Sequence, residues 1–227
     1  INIQSKITLE ELKYSNDIFK RFFPGYKKDI KFVKNSISID YTNGDYQISG
    51  KSKIDINGDL DNFKYSLKKL KKNFFYNLNF EPINSAVNFK ILNYTKNKDD
   101  KSSLELNGKY SASKNINLEK LKFIHNKNLI DIQNIKINKN KKIKSVDKIK
   151  VKVFNNNNKL SKLDIKRDKK NYSIESQIFD GTKLVDEILF SKKEGNFFDL
   201  FDNLNSNISI KIDKAYLSKD DYLTSLN

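Results

Sequence analysis

Apolar and polar residues alternate one by one through most of this chain. The pattern is clearest at residues 37–41 (Ile-Ser-Ile-Asp-Tyr) and 149–153 (Ile-Lys-Val-Lys-Val). It recurs at residues 46–56, 104–106, 130–132, 135–137, 172–174 and 208–212. Side chains on a β-strand point alternately to the two faces of a sheet, so a period of two indicates strands with one apolar and one solvated face. The sequence therefore predicts a mainly β chain whose apolar face covers an apolar ligand or surface.

Turn residues between these strands indicate how the strands pair. Residues 42–45 (Thr-Asn-Gly-Asp) are a strong hairpin signal, and residues 57–59 (Asn-Gly-Asp) give a second one. We therefore predict a long antiparallel meander, because short turns join antiparallel neighbours. Helical patterns predict only short helices near residues 9–23 and 182–190, with a further helical turn at 197–204.

The composition agrees with sheets that are wet on one face. Only 37% of the 227 residues are hydrophobic, and the mean hydropathy is -0.71. No apolar stretch is long enough for a transmembrane helix or a signal peptide. We interpret residues 1–227 as a segment of a longer protein, with possible sub-units at 1–115 and 116–227.

Reactive side chains are scarce, which argues against an enzyme. The chain has no Cys and a single His, so neither a thiolate nucleophile nor a typical zinc site is expected. His125 is expected to be a surface turn residue rather than a catalytic base. Glycine-rich phosphate loops and the usual hydrolase and metalloprotease motifs do not occur. We predict no catalytic residues, no metal and no cofactor.

The net charge of +16 comes almost entirely from lysine. Arginine is preferred where phosphates or bases are bound in a bidentate manner, and only Arg21 and Arg167 are present. We therefore interpret most lysines as solvated residues on the outer faces of the strands, and expect no nucleic-acid partner. Residues 71–76 interleave lysines with aromatic rings and are the one candidate stacking platform for single-stranded nucleic acid.

One passage of the sequence is more distinctive than the others: Tyr172-Ser173-Ile174-Glu175-Ser176-Gln177-Ile178-Phe179-Asp180, followed by a short helix and a strand. With this passage and the strands laid out in order, the chain resembles the AsmA-like family of bacterial envelope proteins. Ser176 stands where the family usually has a small residue or Gly. The other residues that carry the resemblance lie at 9–12, 22–24, 37–41, 46–51, 91–94, 104–108, 184–189 and 208–212.

The resemblance implies a β-rich protein curled into an open, taco-like groove. Such a protein is anchored in the inner membrane by a segment outside this chain and crosses the periplasm. Its groove would shield phospholipid acyl chains during transport to the outer membrane, and further segments of the same protein would extend it. By strand parity, the residues expected to line the groove are Ile37, Ile39, Tyr46, Ile48, Ile54, Ile56, Ile130, Ile132, Ile149, Val151, Val153, Ile174 and Ile210.

Two other kinds of protein fit the same pattern. An adhesin-like or other structural β-module would close its apolar face with its own second sheet. A polyanion-binding module would use the excess of lysine, and its binding would depend steeply on salt. The strand register decides which residues face the groove, because one bulge turns a strand over.

Overall fold

One large sheet forms most of the molecule. The computed structural model describes residues 2–27, 29–111, 116–190, 206–218 and 220–226. In this part of the chain, fifteen strands belong to the large sheet and two form a small hairpin, whereas α-helix is confined to one short segment. The prediction of a mainly β chain is confirmed.

The elements follow one another closely along the chain. The first half contains β1 (Asn2–Tyr14), a 3-10 helix (Asp17–Arg21), β2 (Ile30–Thr42), β3 (Asp45–Ile56), β4 (Asp59–Leu70), β5 (Asn73–Glu81), β6 (Val87–Phe89), a 3-10 turn (Lys90–Leu92), β7 (Tyr94–Lys96) and β8 (Ser102–Ser111). The second half contains β9 (Ile116–His125), β10 (Asn128–Ile137), β11 (Ile143–Ser145), β12 (Lys148–Phe154), β13 (Leu160–Asp168), β14 (Asn171–Ser176), β15 (Phe179–Asp180), α1 (Thr182–Phe190), β16 (Asn207–Tyr216) and β17 (Tyr222–Leu226).

The large sheet is a meander for most of its length. Its order runs β1-β2-β3-β4-β5-β8-β9-β10-β12-β13-β14, and each of these neighbours pairs antiparallel. The hairpin β6–β7 and the short strand β11 are excursions from this path. The predicted antiparallel meander is therefore confirmed up to β14.

The C-terminal strands depart from the meander. β16 pairs parallel with β14 and β15, and β17 then pairs antiparallel with β16. Parallel neighbours need a crossover connection, which usually contains a helix. Here the connection from β15 to β16 begins with α1, so the helix accounts for the change of direction.

The helix expected near residues 9–23 is wrong for most of its length. Residues up to Tyr14 belong to strand β1, and only a 3-10 helix at Asp17–Arg21 follows. β1 pairs with β2 along its whole length. A bulge near Lys34, which has a positive φ, shifts the register of β2 against β3. The bulge changes strand parity, so Leu9 and Leu12, which are three residues apart as on one face of a helix, lie on the same face of the sheet.

The short helix expected near residues 182–190 is confirmed by α1. It begins next to Asp180, whose carboxylate accepts hydrogen bonds from the backbone N–H and the hydroxyl of Thr182 (3.1 and 2.6 Å). Asp180 is itself buried and accepts a short hydrogen bond from the side-chain amide of Asn155. A carboxylate next to a helix start satisfies free backbone donors there. The helical turn expected at 197–204 lies outside the described residues.

The sheet stays open. β1 forms one edge and β16 with β17 forms the other, and the sheet is neither closed nor strongly curled, so the pronounced taco-like curl is not seen in it. Strong curvature in sheets comes from repeated bulges and glycine kinks. In the described sheet, register shifts occur at only three strand pairs, which explains the modest curvature.

The core lies on one face of this sheet, beneath three segments of the chain's own loops. Phe23 and Tyr26, from the connection between β1 and β2, pack on β3 and β5. Tyr94 of β7 packs on β9, β10 and β12. Val146, which follows β11, packs on Leu118 and Ile135. We call residues 15–27, 82–98 and 143–147 the covering segments.

Gly108 provides a test of the strand pairing between β8 and β9. A Cβ atom at this position would lie 2.2 Å from the carbonyl oxygen of Asn117 and 2.9 Å from the Cα of Leu118. Both are backbone atoms that cannot move aside, so Gly108→Ala should lower the free energy of unfolding by about 2–3 kcal/mol in urea titrations. Ser103→Ala, at an exposed position of the same strand, should change it by less than about 0.5 kcal/mol. Equal stabilities of the two variants would contradict the described register.

Candidate apolar binding face

A continuous row of apolar residues crosses the sheet from edge to edge. Each member is the direct cross-strand partner of the next, so all their side chains lie on the same face. We call this set the central row: Ile7, Ile37, Gly50, Tyr65, Leu78, Leu106, Leu121, Ile132, Ile149, Ile165, Ile174 and Ile210.

The central row is long and incompletely covered. With strands about 4.8 Å apart, twelve strands give it a length of about 50 Å. Nine of its members are half-buried, and Ile7 and Ile210 near the sheet edges are exposed. Gly50 is buried because the ring of Tyr65 lies across it. An apolar strip of this length on a protein surface is typical of an interaction or ligand-binding site.

The opposite face is polar at the neighbouring positions. Shifting by one residue along each strand turns the central row into a second cross-strand row that contains no apolar member. This row consists of Thr8, Ser36, Lys51, Lys64, Asn79, Glu105, Lys122, Asp131, Lys150, Asp164, Glu175 and Lys211. At the middle of the strands, the sheet thus has one apolar face and one charged face.

All thirteen residues expected to line the groove lie on the apolar face, in two environments. Ile54, Ile56, Ile130, Val151 and Val153 are buried in the closed cores beneath the covering segments. The others are half-buried or exposed, and five of them belong to the central row. The eight less buried residues are Ile37, Ile39, Tyr46, Ile48, Ile132, Ile149, Ile174 and Ile210.

Seven members of the central row were not predicted from the sequence, namely Ile7, Gly50, Tyr65, Leu78, Leu106, Leu121 and Ile165. Gly50 and Leu106 lie in segments whose alternation was recognised, but the alternation does not show which strands align. The hairpin turns hold the missing signal. Because a two-residue turn at Asn43 and Gly44 fixes the register of β2 against β3, counting back from each turn would have placed the partners.

A buried lysine and a buried aspartate fix the covering segment 82–98. Lys96 is fully buried, and its Nζ donates hydrogen bonds to the carbonyl oxygens of Ile83 and Ser85 (2.6 and 2.9 Å). Asp61 on β4 is also buried and accepts hydrogen bonds from the backbone N–H groups of residues 83, 84 and 85. Burial lowers the pKa of Lys96, while the charge of Asp61 opposes this effect. Lys96 therefore links the two ends of the segment to each other, and Asp61 ties the segment to the sheet.

His125 is a buried residue at the end of β9, so the expectation of a surface turn residue is wrong. Only 7% of it is exposed, because Tyr94 of the covering segment lies against it. Burial raises the pKa of Tyr94 to about 12, which keeps its hydroxyl protonated. That hydroxyl forms a short hydrogen bond with Nδ1 of His125, whose Nε2 lies 3.5 Å from Asp100. The protonated hydroxyl of Tyr94 donates this hydrogen bond to Nδ1, which can accept it only when the imidazole is neutral, so the contact favours uncharged His125.

No arrangement suited to a metal is found among the described residues, since no group of three or more His, Asp or Glu side chains comes together there. Within the same ranges, no helix is long and apolar enough to span a bilayer. The apolar face itself offers hydrocarbon and aromatic surface and few polar groups. Such a surface is suited to binding apolar chains.

Comparison with known proteins gives no match, either to a family model, to a curated protein or to a solved structure.

The stability of the protein should depend on the protonation of its single histidine. Burial lowers the pKa of His125 below its usual value, an effect that Lys96 increases and Asp100 opposes. The unfolded chain therefore binds a proton more readily than the folded one. The stability that neutral His125 contributes is fully present above about pH 6.5, its pKa in the unfolded chain. This contribution is lost as the pH falls from there toward the lower pKa of His125 in the folded protein.

Urea titrations between about pH 7.5 and about pH 5.5 would measure this loss. We expect the unfolding midpoint to fall over this range in the native protein. His125→Gln should remove most of the pH dependence. An equal pH dependence in the variant would contradict a neutral, buried His125.

Removing the Lys96 charge should loosen the covering segment. Lys96→Met leaves two carbonyl groups and Asp61 without their cationic neighbour, so the free energy of unfolding should fall by about 2–4 kcal/mol. Lys98→Met is the matched control, because Lys98 is exposed and pairs with Asp59 at the surface (2.5 Å). Its loss should cost less than about 1 kcal/mol. A similar effect of both substitutions in urea unfolding would argue against the buried anchor.

Proposed function

We propose that this chain is a segment of an AsmA-like envelope protein that shields phospholipid acyl chains for transport between the inner and outer membranes. The lipid-binding surface is the part of the apolar face that the covering segments leave uncovered. The parent protein crosses the periplasm and is held in the inner membrane by a segment outside this chain. The chain needs no catalytic residue and no cofactor for this function.

The central row is the observation that carries the proposal. An acyl chain gains about 0.8 kcal/mol for each methylene group that leaves water. The row offers half-buried hydrocarbon across twelve strands, with Ile37 near one end and Ile174 near the other. A lipid tail lying on it removes water from both surfaces.

The chemical uniformity of the row favours movement over tight binding. The side chain of Tyr65 carries the only hydroxyl in the row, and no member is charged. A lipid tail therefore meets no polar group that would hold it at one position. Successive strands present nearly equivalent surfaces, so a tail can shift along the row at little cost in free energy.

The proposed groove lies between the covering segments. Phe23, Tyr26 and Tyr94 lie on the apolar face toward one end of the strands, and Val146 lies toward the other end. The groove is narrowest at Ile132 and Ile149, which contact the cores on both sides.

The taco-like curl is part of the proposal and requires further segments of the same protein. Exposed apolar residues reach both sheet edges, with Ile3 and Leu12 on β1 and Ile208 on β16. Strand edges pair readily with additional strands. Strands added at these edges would extend the apolar face and provide the side walls of the groove.

A structural β-module remains the second candidate. It is favoured by the five expected groove residues that are buried in closed cores, with Val153 completely inaccessible. In that case the remaining apolar face would be covered by protein rather than by lipid. The experiment that tests the first candidate separates the two.

Photo-crosslinking in the bacterial envelope tests the proposal directly. A benzophenone amino acid placed at Ile37 or Ile174 of the parent protein should form adducts with phospholipid, identified by mass spectrometry. The matched controls are Ser38 and Ser173, which are sequence neighbours on the charged face. We expect adducts at the two isoleucine positions and only background at the two serines, because adjacent strand residues face opposite sides.

Adducts with protein at Ile37 and Ile174, in the absence of lipid adducts, would contradict lipid shielding and favour the structural module. Equal lipid adducts at all four positions would also contradict the proposal, because they would indicate general membrane proximity rather than a lipid-binding face.

A further inference from the structure

Three short segments hold most of the net charge of this protein. Residues 68–72, 136–148 and 166–170 contain thirteen lysines and Arg167 but only two carboxylates, Asp147 and Asp168. Their net charge is +12, whereas the whole chain carries +16. The rest of the sequence, which is far longer, is therefore close to neutral.

The fold brings these segments to one end of the strands. Lys68 on β4 and Lys136 on β10 belong to the same cross-strand row, next to the turns at the strand ends. Lys148 on β12 lies directly opposite Lys166 on β13. Arg167 pairs with Asp147 (3.3 Å) and ties the loop after β10 to β13. We call this region, formed by residues 68–72, 136–148 and 166–170, the cationic end.

The nearby carboxylates do not neutralise the cationic end. Asp147 is engaged by Arg167, and Glu119 by Lys109 (3.6 Å). Like charges directly opposite on neighbouring strands destabilise a sheet. In the described ranges, neither Lys148 nor Lys166 forms an ion pair that would offset this repulsion. An anionic surface placed against this end would relieve the repulsion.

Aromatic residues line the apolar face at the same end. Tyr41 and Tyr46 are cross-strand partners, and so are Phe74 and Tyr110. The ring of Phe74 lies 6.3 Å from that of Tyr46 and 6.1 Å from that of Tyr110, and Lys69 sits over Tyr46 (5.6 Å). All four rings are half-buried. Aromatic rings beside lysines are typical of the membrane–water interface, where a ring has one apolar and one wet side.

We propose that the cationic end docks on an anionic phospholipid bilayer. The lysines of the turns lie against the headgroups, and the aromatic rings occupy the interface beneath them. The open apolar face begins at these rings, so the bilayer would adjoin the proposed lipid-binding surface. Docking does not depend on lipid entering that surface, and it assigns to this chain a membrane contact of its own.

The arrangement suits a membrane better than nucleic acid. Arg167 is the only arginine at the cationic end, and it is already paired with Asp147. The rings pack against one another, instead of standing free for bases to stack on them. Two exposed apolar side chains, Leu70 and Phe75, accompany the lysines of the β4–β5 turn. Such side chains favour insertion below headgroups.

Vesicle co-sedimentation of the purified chain tests the proposal. The vesicles contain phosphatidylglycerol and phosphatidylcholine in equal parts, with pure phosphatidylcholine as reference. Each lysine near an anionic surface contributes about 1 kcal/mol to binding, so replacing four exposed lysines by Gln should lower partitioning by close to a thousandfold. The variant combines Lys139→Gln, Lys144→Gln, Lys166→Gln and Lys170→Gln.

A control variant removes four exposed lysines outside the cationic end. It combines Lys51→Gln, Lys64→Gln, Lys101→Gln and Lys127→Gln, and has the same net charge as the first variant. We expect it to bind almost as well as the native chain, because salt screens charges more than about 10 Å from the surface. Equal loss in both variants, or no preference for phosphatidylglycerol, would overturn the proposal.

A second pair of variants tests the apolar contact without changing charge. Leu70→Ser combined with Phe75→Ser should weaken vesicle binding severalfold, whereas Leu60→Ser combined with Phe154→Ser should not, because these exposed residues lie at the other end of the strands.

Binding of a single-stranded oligonucleotide but not of vesicles, lost in the first lysine variant, would overturn the proposal in favour of a nucleic-acid surface. The lysine variant should still form lipid adducts at Ile37 if acyl-chain shielding is correct, so the two proposals can fail separately.

Discussion

The cross-strand register is the constraint on which the rest of this structure depends. Alternation within a strand makes only one amphipathic ribbon. The central row exists because eleven successive pairings, from Ile7 with Ile37 to Ile174 with Ile210, place the apolar side chains of all these strands on the same face of the sheet. A slip of one residue in any pairing would place Lys, Ser or Asn side chains on the apolar face and would bury charge. Short turns and buried side chains hold the strands against such slips.

The covering segments use buried polar groups where hydrocarbon alone would not fix their position. Lys96 and Asp61 satisfy carbonyl and N–H groups of residues 83–85, and Tyr94 reaches His125. The contacts of Asp61 and of Tyr94 cross from the segment to the sheet, and each leaves a costly unsatisfied group if the segment moves away. Lys96 instead joins the two ends of the segment. The covered part of the apolar face is thus held by directional bonds. The uncovered part has no such bonds to a covering segment, and a ligand that is itself apolar and mobile needs none.

Much of the sheet could be predicted from the sequence, since the alternation and the turns placed most strands and all thirteen expected residues lie on one face. Three features could not be predicted. The spacing of Leu9 and Leu12 indicated a helix, but a bulge beside Lys34 produces the same spacing in a strand. The burial of Ile54 and Val153 depends on Tyr26 and Tyr94, which arrive from distant loops. His125 is buried for the same reason.

The clustering of the charged residues could not be predicted from the sequence either. The sequence shows runs of lysine at 68–72 and 166–170, and alone they indicate solvated surface. Only the pairing of β4, β10, β12 and β13 shows that these runs share one end of the sheet, next to the aromatic rings of Tyr46 and Phe74.

The account rests most directly on one part of the apolar face being open while the other is closed. The chain contains no cysteine, so single cysteines at Ile48, on the open part, and at Ile54, in a closed core, can be labelled with a polarity-sensitive maleimide. The account predicts fast labelling at position 48, with a blue shift of the label when phospholipid is added, and slow labelling at position 54. Slow labelling at both positions in the folded protein would mean that protein covers the whole face, and would contradict the central claim.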